Sequence, residues 1–276
     1  MDALQRWQER VLTYRSERGK PDEQIWQNAA GWYDRWVAHN NYVTLVLPKL
    51  LPMLSPTSRV LEVGPGTGAF TLPVARSVAE LIAVEPSRHM AAILQSHLER
   101  EGIGNVRLLP LRIEDAIEDL QGPFDLALAS HSLYNVLPIH HVVGSLVRLA
   151  TWTVILTGTG EEHDWYRELH FRFKGRRPQP PGSFRELYPI LLEMGIYADV
   201  EILRTSSNYV FAGEDEMVDW WAERFQVEEE RKPDLRAALL ALAERRDGLV
   251  GIYAQSRTAL ITIHRERNLF ASRWDF

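Results

Sequence analysis

The chain has 276 residues, 45% hydrophobic and 25% charged, with a formal net charge of -6. That suits one core domain with an insertion or a small cap, and the acidic balance argues against a nucleic-acid polyanion as partner. With no cysteine, disulfides, thiolate metal sites and a cysteine nucleophile are excluded.

Residues 1–57 read as a helical arm. Trp26, Ala29, Ala30, Tyr33, Trp36 and Val37 recur at the three-to-four spacing of one buried helical face, and Pro52 and Pro56 close it. The start, Met1 to Trp7, lacks the apolar core of a secretory signal. The apolar run 42–54 is broken by Pro48, Lys49 and Pro52, so no membrane association is expected and a cytoplasmic location is.

Strand and helix then alternate. Arg59–Val63 is a short apolar strand running into Gly64-Pro65-Gly66-Thr67-Gly68, with a short helix through Val74 and Ala75. Leu81–Glu85 is a second strand, and Ser87 caps a helix through Met90, Ile93, Leu94 and Leu98 that stops at Gly102. Val106–Leu109, Phe124–Ala129 and Trp152–Thr157 are further strands, with a helix from Pro138 to Leu149 before the last. Near-continuous apolar strands with intervening helices imply a parallel sheet. Past Gly160 come a polar-aromatic helix and the irregular stretch 174–182. A helix through Leu187 and Leu191 ends at Gly195. Asp199–Leu203 and Arg257–His264 read as late strands, with helices at 214–226 and 234–246 between them.

The stretch Val60-Leu61-Glu62-Val63-Gly64-Pro65-Gly66-Thr67-Gly68 holds the most chemistry. Glycines after a strand let the backbone turn sharply and a ligand approach it closely. Gly64-x-Gly66-x-x-Ala69 fits the dinucleotide fingerprint formally. The whole stretch, with an acid before the turn and a third glycine, more closely resembles the first motif of class I S-adenosylmethionine-dependent methyltransferases of the small-molecule type.

That resemblance covers residues 25–160 well and extends loosely to 264. It implies a Rossmann-like α/β fold: a seven-stranded, mostly parallel sheet with flanking helices, an N-terminal helical arm and helical cap insertions. The arm is 1–57, the cofactor-binding core 58–160, and 161–276 carries the substrate-side insertion, the last two strands and C-terminal helices completing the same domain. The implied cofactor is S-adenosyl-L-methionine, leaving as S-adenosyl-L-homocysteine. Glu62 would hold its amino end, Gly64, Pro65, Gly66 and Gly68 would wrap it, and Glu85, followed by Pro86, would bind both ribose hydroxyls. Ile113 would wall the adenine, with Glu114 or Asp115 taking its amino group, although Arg112 stands nearer the place of the family's usual aspartate. Ser130 ends the fourth strand facing the reactive region. Tyr33 would close over the cofactor, because Ala30-Gly31-Trp32-Tyr33-Asp34 resembles the family's arm.

His131 is the candidate general base, needed only if the acceptor must lose a proton. Tyr134, Asn135, Trp165 and Tyr166 are candidates for the acceptor pocket, and no metal is expected. The expected acceptor is a small molecule. No nucleic acid is expected, since Ala129-Ser130-His131-Ser132 replaces the Asn/Asp-Pro-Pro-Tyr/Phe of amino methylation of adenine. A protein or peptide acceptor, an NAD(P)-dependent oxidoreductase and a non-catalytic cofactor-binding module are the alternatives. Oligomeric state stays open.

Overall fold

The structure is a computed structural model that describes residues 2–18, 22–178 and 182–271. Helices α1 (Ala3–Arg18), α2 (Asp22–Ala38) and α3 (Tyr42–Leu50) form the arm. The alternating region follows as β1 (Arg59–Val63), α4 (Thr71–Ala75), β2 (Glu80–Val84), α5 (Arg88–Arg100), β3 (Val106–Leu109), α6 (Ile113–Ala116), β4 (Phe124–Ser130), α7 (Ile139–Leu149) and β5 (Ala150–Gly158). Ser87 caps α5 as expected, its hydroxyl accepting from the Met90 N–H at 3.3 Å.

Seven strands form one sheet in the order β3-β2-β1-β4-β5-β10-β6, where β6 is Asp199–Ser206 and β10 is Gln255–His264. The first five run parallel, and β10 is antiparallel to both neighbours. Side chains alternate between faces at period two. Leu61, Val63, Ile82, Val84, Ala127, Ala129 and Ile155 meet α1, α6, α7 and α9 (Phe184–Glu193) on one face. Val60, Leu81, Ala83, Leu126, Leu128 and Val154 meet α3 and α4 on the other. A sheet wound on both faces leaves its ligand crevice at the carboxyl ends of the strands, where the order reverses between β1 and β4. No helix among the described residues is long and apolar enough to cross a membrane.

The insertions are not purely helical. Between β6 and β10 lie β7 (Tyr209–Phe211), α10 (Glu214–Phe225), α11 (Lys232–Leu240), β8 (Glu244–Arg246) and β9 (Leu249–Ile252). The helix expected at 234–246 stops at Leu240, and three short strands form an antiparallel sheet, β7-β9-β8. Together with α8 (Asp164–Lys174) they enclose a separate core of Leu169, Phe211, Met217, Trp221, Phe225, Leu235 and Ile252. This cap is tied to the arm. Arg35 on α2 donates twice to Glu216 on α10, at 2.8 and 2.9 Å. The Asn40 side-chain amide donates to the Asn208 carbonyl at 3.1 Å and accepts from the Asn208 N–H at 2.9 Å, beside the start of β7. The expected irregular stretch 174–182 contains an ion pair from Arg176 to Glu17 of α1, and its residues 179–181 lie outside the described residues. The side chains of Ala29 and Ala30 do so too.

Candidate active site

The glycine turn leaves β1 as expected. Gly64, Gly66 and Gly68 all have positive φ, at 66°, 59° and 104°. A methyl group on Gly64 would stand 2.4 Å from Ser132 Cβ, and one on Gly66 would meet the Tyr33 ring at 3.3 Å. Two segments distant in sequence, the arm and the end of β4, therefore close on this turn. The buried Ser132 hydroxyl has no hydrogen-bond partner among the described residues, although it sits at the turn. An orphaned buried hydroxyl costs free energy unless a ligand or water answers it.

Two acids flank the turn. Glu85 is 5% exposed and accepts from the Gly66 N–H at 3.0 Å and the Ser87 N–H at 2.9 Å. Burial raises its pKa against these two hydrogen bonds. A carboxylate offers about four acceptor positions, so with one taken on each oxygen Glu85 keeps room for a diol. Glu62 is 2% exposed and accepts from the Thr71 hydroxyl at 2.7 Å. Burial pushes it up to about 7, and the Glu85 charge adds to that while Thr71 opposes it. A buried carboxyl so sparsely partnered is suited to a cationic ligand group.

Tyr33 links the acids to the arm. It stacks on Trp36 at 5.8 Å and pairs through its hydroxyl with Tyr42. Burial raises both phenols, so both stay protonated donors. Of the residues assigned to the adenine side, Ile113 is buried, Glu114 is partly buried beside Arg112 at 3.9 Å, and Asp115 and Pro86 are exposed. Glu114 is thus the more buried of the two acids. Ser130 ends β4, in register with Leu156 of β5.

His131 follows at φ 51°, its N–H donating to the Leu156 carbonyl at 2.9 Å and its ring edge-on to Tyr42 at 5.6 Å. Among the described residues the other non-glycines with positive φ are Gln226, at a helix end, and Asp247, in a tight turn. His131 instead ends a strand at the sheet's crevice, where retained backbone strain often accompanies function. Burial lowers its pKa to about 4. The imidazole is therefore neutral through the physiological range, an acceptor rather than a cation. In an NMR titration its Cε1–H shift is expected to move near pH 4 and to stay flat between 6 and 8. A midpoint near 6.5 contradicts the burial argument.

On the acceptor side the four candidates separate. Tyr134 packs under Gly182 and edge-on to Tyr14 of α1 at 6.3 Å. Asn135 is held by Arg15, which donates to its Oδ1 at 2.8 Å, so it anchors α1. Trp165 lies within the cap's aromatic core, edge-on to Trp221 at 5.4 Å. Tyr166 faces Arg224 of α10, together with Tyr209 and Tyr14. Sequence reading missed Tyr14, Tyr42, Thr71, Tyr209 and Arg224. Helical periodicity marks which face of an element is apolar, and it carries no sign of which polar residue a distant element will meet. Asp125, at the start of β4, accepts from the Arg59 N–H at 2.8 Å.

Beyond this region a charged cleft of about 960 Å³ runs between α1 and the segment after β5, with Arg10, Glu162, Arg177 and Arg185 in its walls. Glu162, in that wall, lies close enough to Arg224 and Tyr209 to act on both electrostatically.

Comparison with known proteins agrees with this geometry. Residues 60–152 match a family model described as a methyltransferase domain. Ribosomal RNA small subunit methyltransferase A of Desulforapulum autotrophicum is 48% identical over 56 residues, covering 20% of each chain. The protein of the same name from Magnetococcus marinus is 32% identical over 101 residues, covering 33% of this chain and 34% of that one. Protein-L-isoaspartate O-methyltransferase of Koribacter versatilis is 29% identical over 85 residues, covering 31% and 38%. The chain thus spans well under half the length of these relatives. In fold it is similar to the YcgJ protein of Bacillus subtilis, with a TM-score of 0.55 and 17% identity over 80% of this chain and 99% of that one.

The chain therefore carries a class I methyltransferase domain of Rossmann-like fold, a domain whose cofactor is S-adenosylmethionine. One expectation is overturned. Nucleic acid was excluded as a partner on net charge and on the residues after β4, yet relatives of this domain are named for ribosomal RNA. Net charge averages over the whole surface and says nothing about one groove.

Proposed function

We propose that this chain transfers the methyl group of S-adenosylmethionine to an acceptor held between the carboxyl end of β4 and the cap, and that this acceptor is a small molecule. The observation that carries the transferase reading is the convergence of Glu62, Glu85, Tyr33 and Ser132 on one positive-φ glycine turn. In this reading Glu85 grips the ribose diol, Glu62 holds the amino end, Ile113 and Glu114 take the adenine, and Tyr33 closes the arm over the turn. When bound, the sulfonium supplies a methyl group already activated by positive charge. The chain's part is then placement, which in well-aligned cases removes roughly 7–11 kcal/mol of barrier. His131, neutral and at the strand end, takes the acceptor's proton where one must leave.

The small-molecule reading is supported by two groups of rings: Tyr14 edge-on to Tyr134, and Tyr166 and Tyr209 each against Trp221 of the cap's own core. A nucleic-acid acceptor is the second reading, favoured by the names of the relatives, since aromatic walls also accept an unstacked base.

Titration with S-adenosylhomocysteine in a calorimeter tests the cofactor assignment. The intact protein is expected to bind at micromolar concentration, and Glu85→Ala to lose at least tenfold. Absence of binding in the intact protein overturns the proposal. Methyl transfer from labelled cofactor, offered in parallel to a metabolite mixture and to unmodified small-subunit ribosomal RNA, then separates the two acceptor readings.

A further inference from the structure

Tyr42, the first residue of α3, meets two parts of the site that lie far apart in the chain. Its hydroxyl pairs with that of Tyr33, whose ring a methyl group on Gly66 would meet at 3.3 Å. Its own ring stands edge-on to His131, at 5.6 Å, beside the carboxyl end of β4. Trp36 and Phe70 pack on it at 5.5 and 5.9 Å, and it is 4% exposed. Tyr33, by contrast, keeps part of its surface accessible, as the wall of a crevice must.

Packing alone does not call for a tyrosine at this position. Tyr42 belongs to the apolar core of Val46, Leu50, Phe70 and Val74, which phenylalanine would fill without bringing in a polar atom. Burying a hydroxyl costs free energy unless it is answered, and two that answer each other add little over two apolar rings of the same shape. The pair is placed where the ligand chemistry is. Glu62 acts electrostatically on Tyr42 and Glu85 on Tyr33, so the two hydroxyls lie within reach of both acids at the glycine turn. His131 has the complementary need. Its main chain is pinned to β5, yet no hydrogen bond or charge among the described residues acts on its imidazole. Contact must fix the plane of that ring, and Tyr42 supplies an edge-on partner.

We propose that Tyr42 is a positioning residue with two separable actions: its hydroxyl holds Tyr33 against the glycine turn, and its ring holds the His131 imidazole at the strand end. This rests on the methyltransferase reading, which gives Tyr33 to the cofactor and His131 to the acceptor's proton. One side chain of the arm thus sets the cofactor wall and the candidate base together.

The test uses the full chain, with calorimetry on S-adenosylhomocysteine, urea unfolding, and the His131 Cε1–H signal, assigned by its loss in His131→Gln. Tyr42→Phe removes only the hydroxyl. It is expected to weaken S-adenosylhomocysteine binding about fivefold, the worth of one hydrogen bond, while the His131 signal stays single and sharp. The double variant Tyr33→Phe with Tyr42→Phe leaves no hydroxyl orphaned, so it should regain wild-type stability without regaining affinity. Tyr42→Leu keeps an apolar side chain against Phe70 but loses the ring, and the His131 signal should broaden or split. A pair that serves packing alone gives a different pattern, with affinity following stability and returning in the double variant. The proposal is overturned if the double variant binds as tightly as the wild type, or if the His131 signal in Tyr42→Leu stays single and sharp. Failure of the wild type to bind S-adenosylhomocysteine counts against the methyltransferase reading. The His131 signal, recorded without that ligand, then still decides whether Tyr42 positions the imidazole.

Discussion

Glu62→Gln is expected to weaken S-adenosylhomocysteine binding about 30-fold and, at the same time, to make the cofactor-free protein more stable above neutral pH. The two effects share one cause. Glu62 is buried with a single hydroxyl partner, and burial lifts its pKa from 4.5 to about 7. The folded-state pKa is raised, so below 4.5 the carboxyl is protonated in both folded and unfolded states and carries no penalty. As pH rises from 4.5 to 7 the unfolded chain ionises while the folded one resists, and stability is lost. At ~1.4 kcal/mol per pH unit the loss reaches about 3 kcal/mol above pH 7. Glutamine does not titrate, so the stability difference between variant and wild type should grow by that amount between pH 4.5 and 8 in urea unfolding. Removing the charge also removes a charged hydrogen bond to the ligand's amino group, a loss of about 2 kcal/mol and hence the 30-fold figure. Stabilisation with unchanged affinity makes Glu62 a buried acid without a ligand. A stability difference that ignores pH sinks the burial argument.

Much of the framework is legible in the residues because each parallel strand is a short apolar run closed by its own punctuation. Val60 to Val63 runs into glycines, Ser87 caps α5, and Gly102 and Gly195 stop helices. The cap was misread for a physical reason. Tyr209–Phe211 and Leu249–Ile252 are too short to show alternation, and Ala243 to Arg246 has good helix formers, so the pattern of α11 runs on past its end. Asp247-Gly248, both at positive φ, is a two-residue hairpin turn, and that pair was the available sign of β8 and β9. In the site, Glu62, Glu85 and the glycines were readable because their spacing from a strand is fixed by the turn. Tyr42 and Arg224 were not, because each reaches its place only through packing between distant elements. Asn135 was placed in the pocket on position alone and instead holds Arg15.

Gly64→Ala is expected to lower stability by about 3 kcal/mol, near 10 °C in Tm, and to reduce S-adenosylhomocysteine affinity more than a hundredfold. Two costs add. A side chain at φ 66° costs about 1 kcal/mol in the left-handed region. The new Cβ then stands 2.4 Å from Ser132 Cβ, more than 1 Å inside ordinary contact, and forcing tight packing apart costs about 1–3 kcal/mol. The relief must come from the 131–134 segment, whose main chain is pinned to β5 through the His131 N–H, or from the turn itself. Either shift moves the two walls that define the cofactor crevice. Gly102→Ala separates the contributions. That residue has nearly the same φ, 65°, yet nothing lies within 4 Å of its would-be Cβ. It should show the ~1 kcal/mol backbone cost alone, with cofactor affinity unchanged. If Gly64→Ala behaves like Gly102→Ala, the close approach of β4 to the turn is irrelevant to binding. If only Gly64→Ala loses the ligand, the contact between turn and strand end is what shapes the crevice.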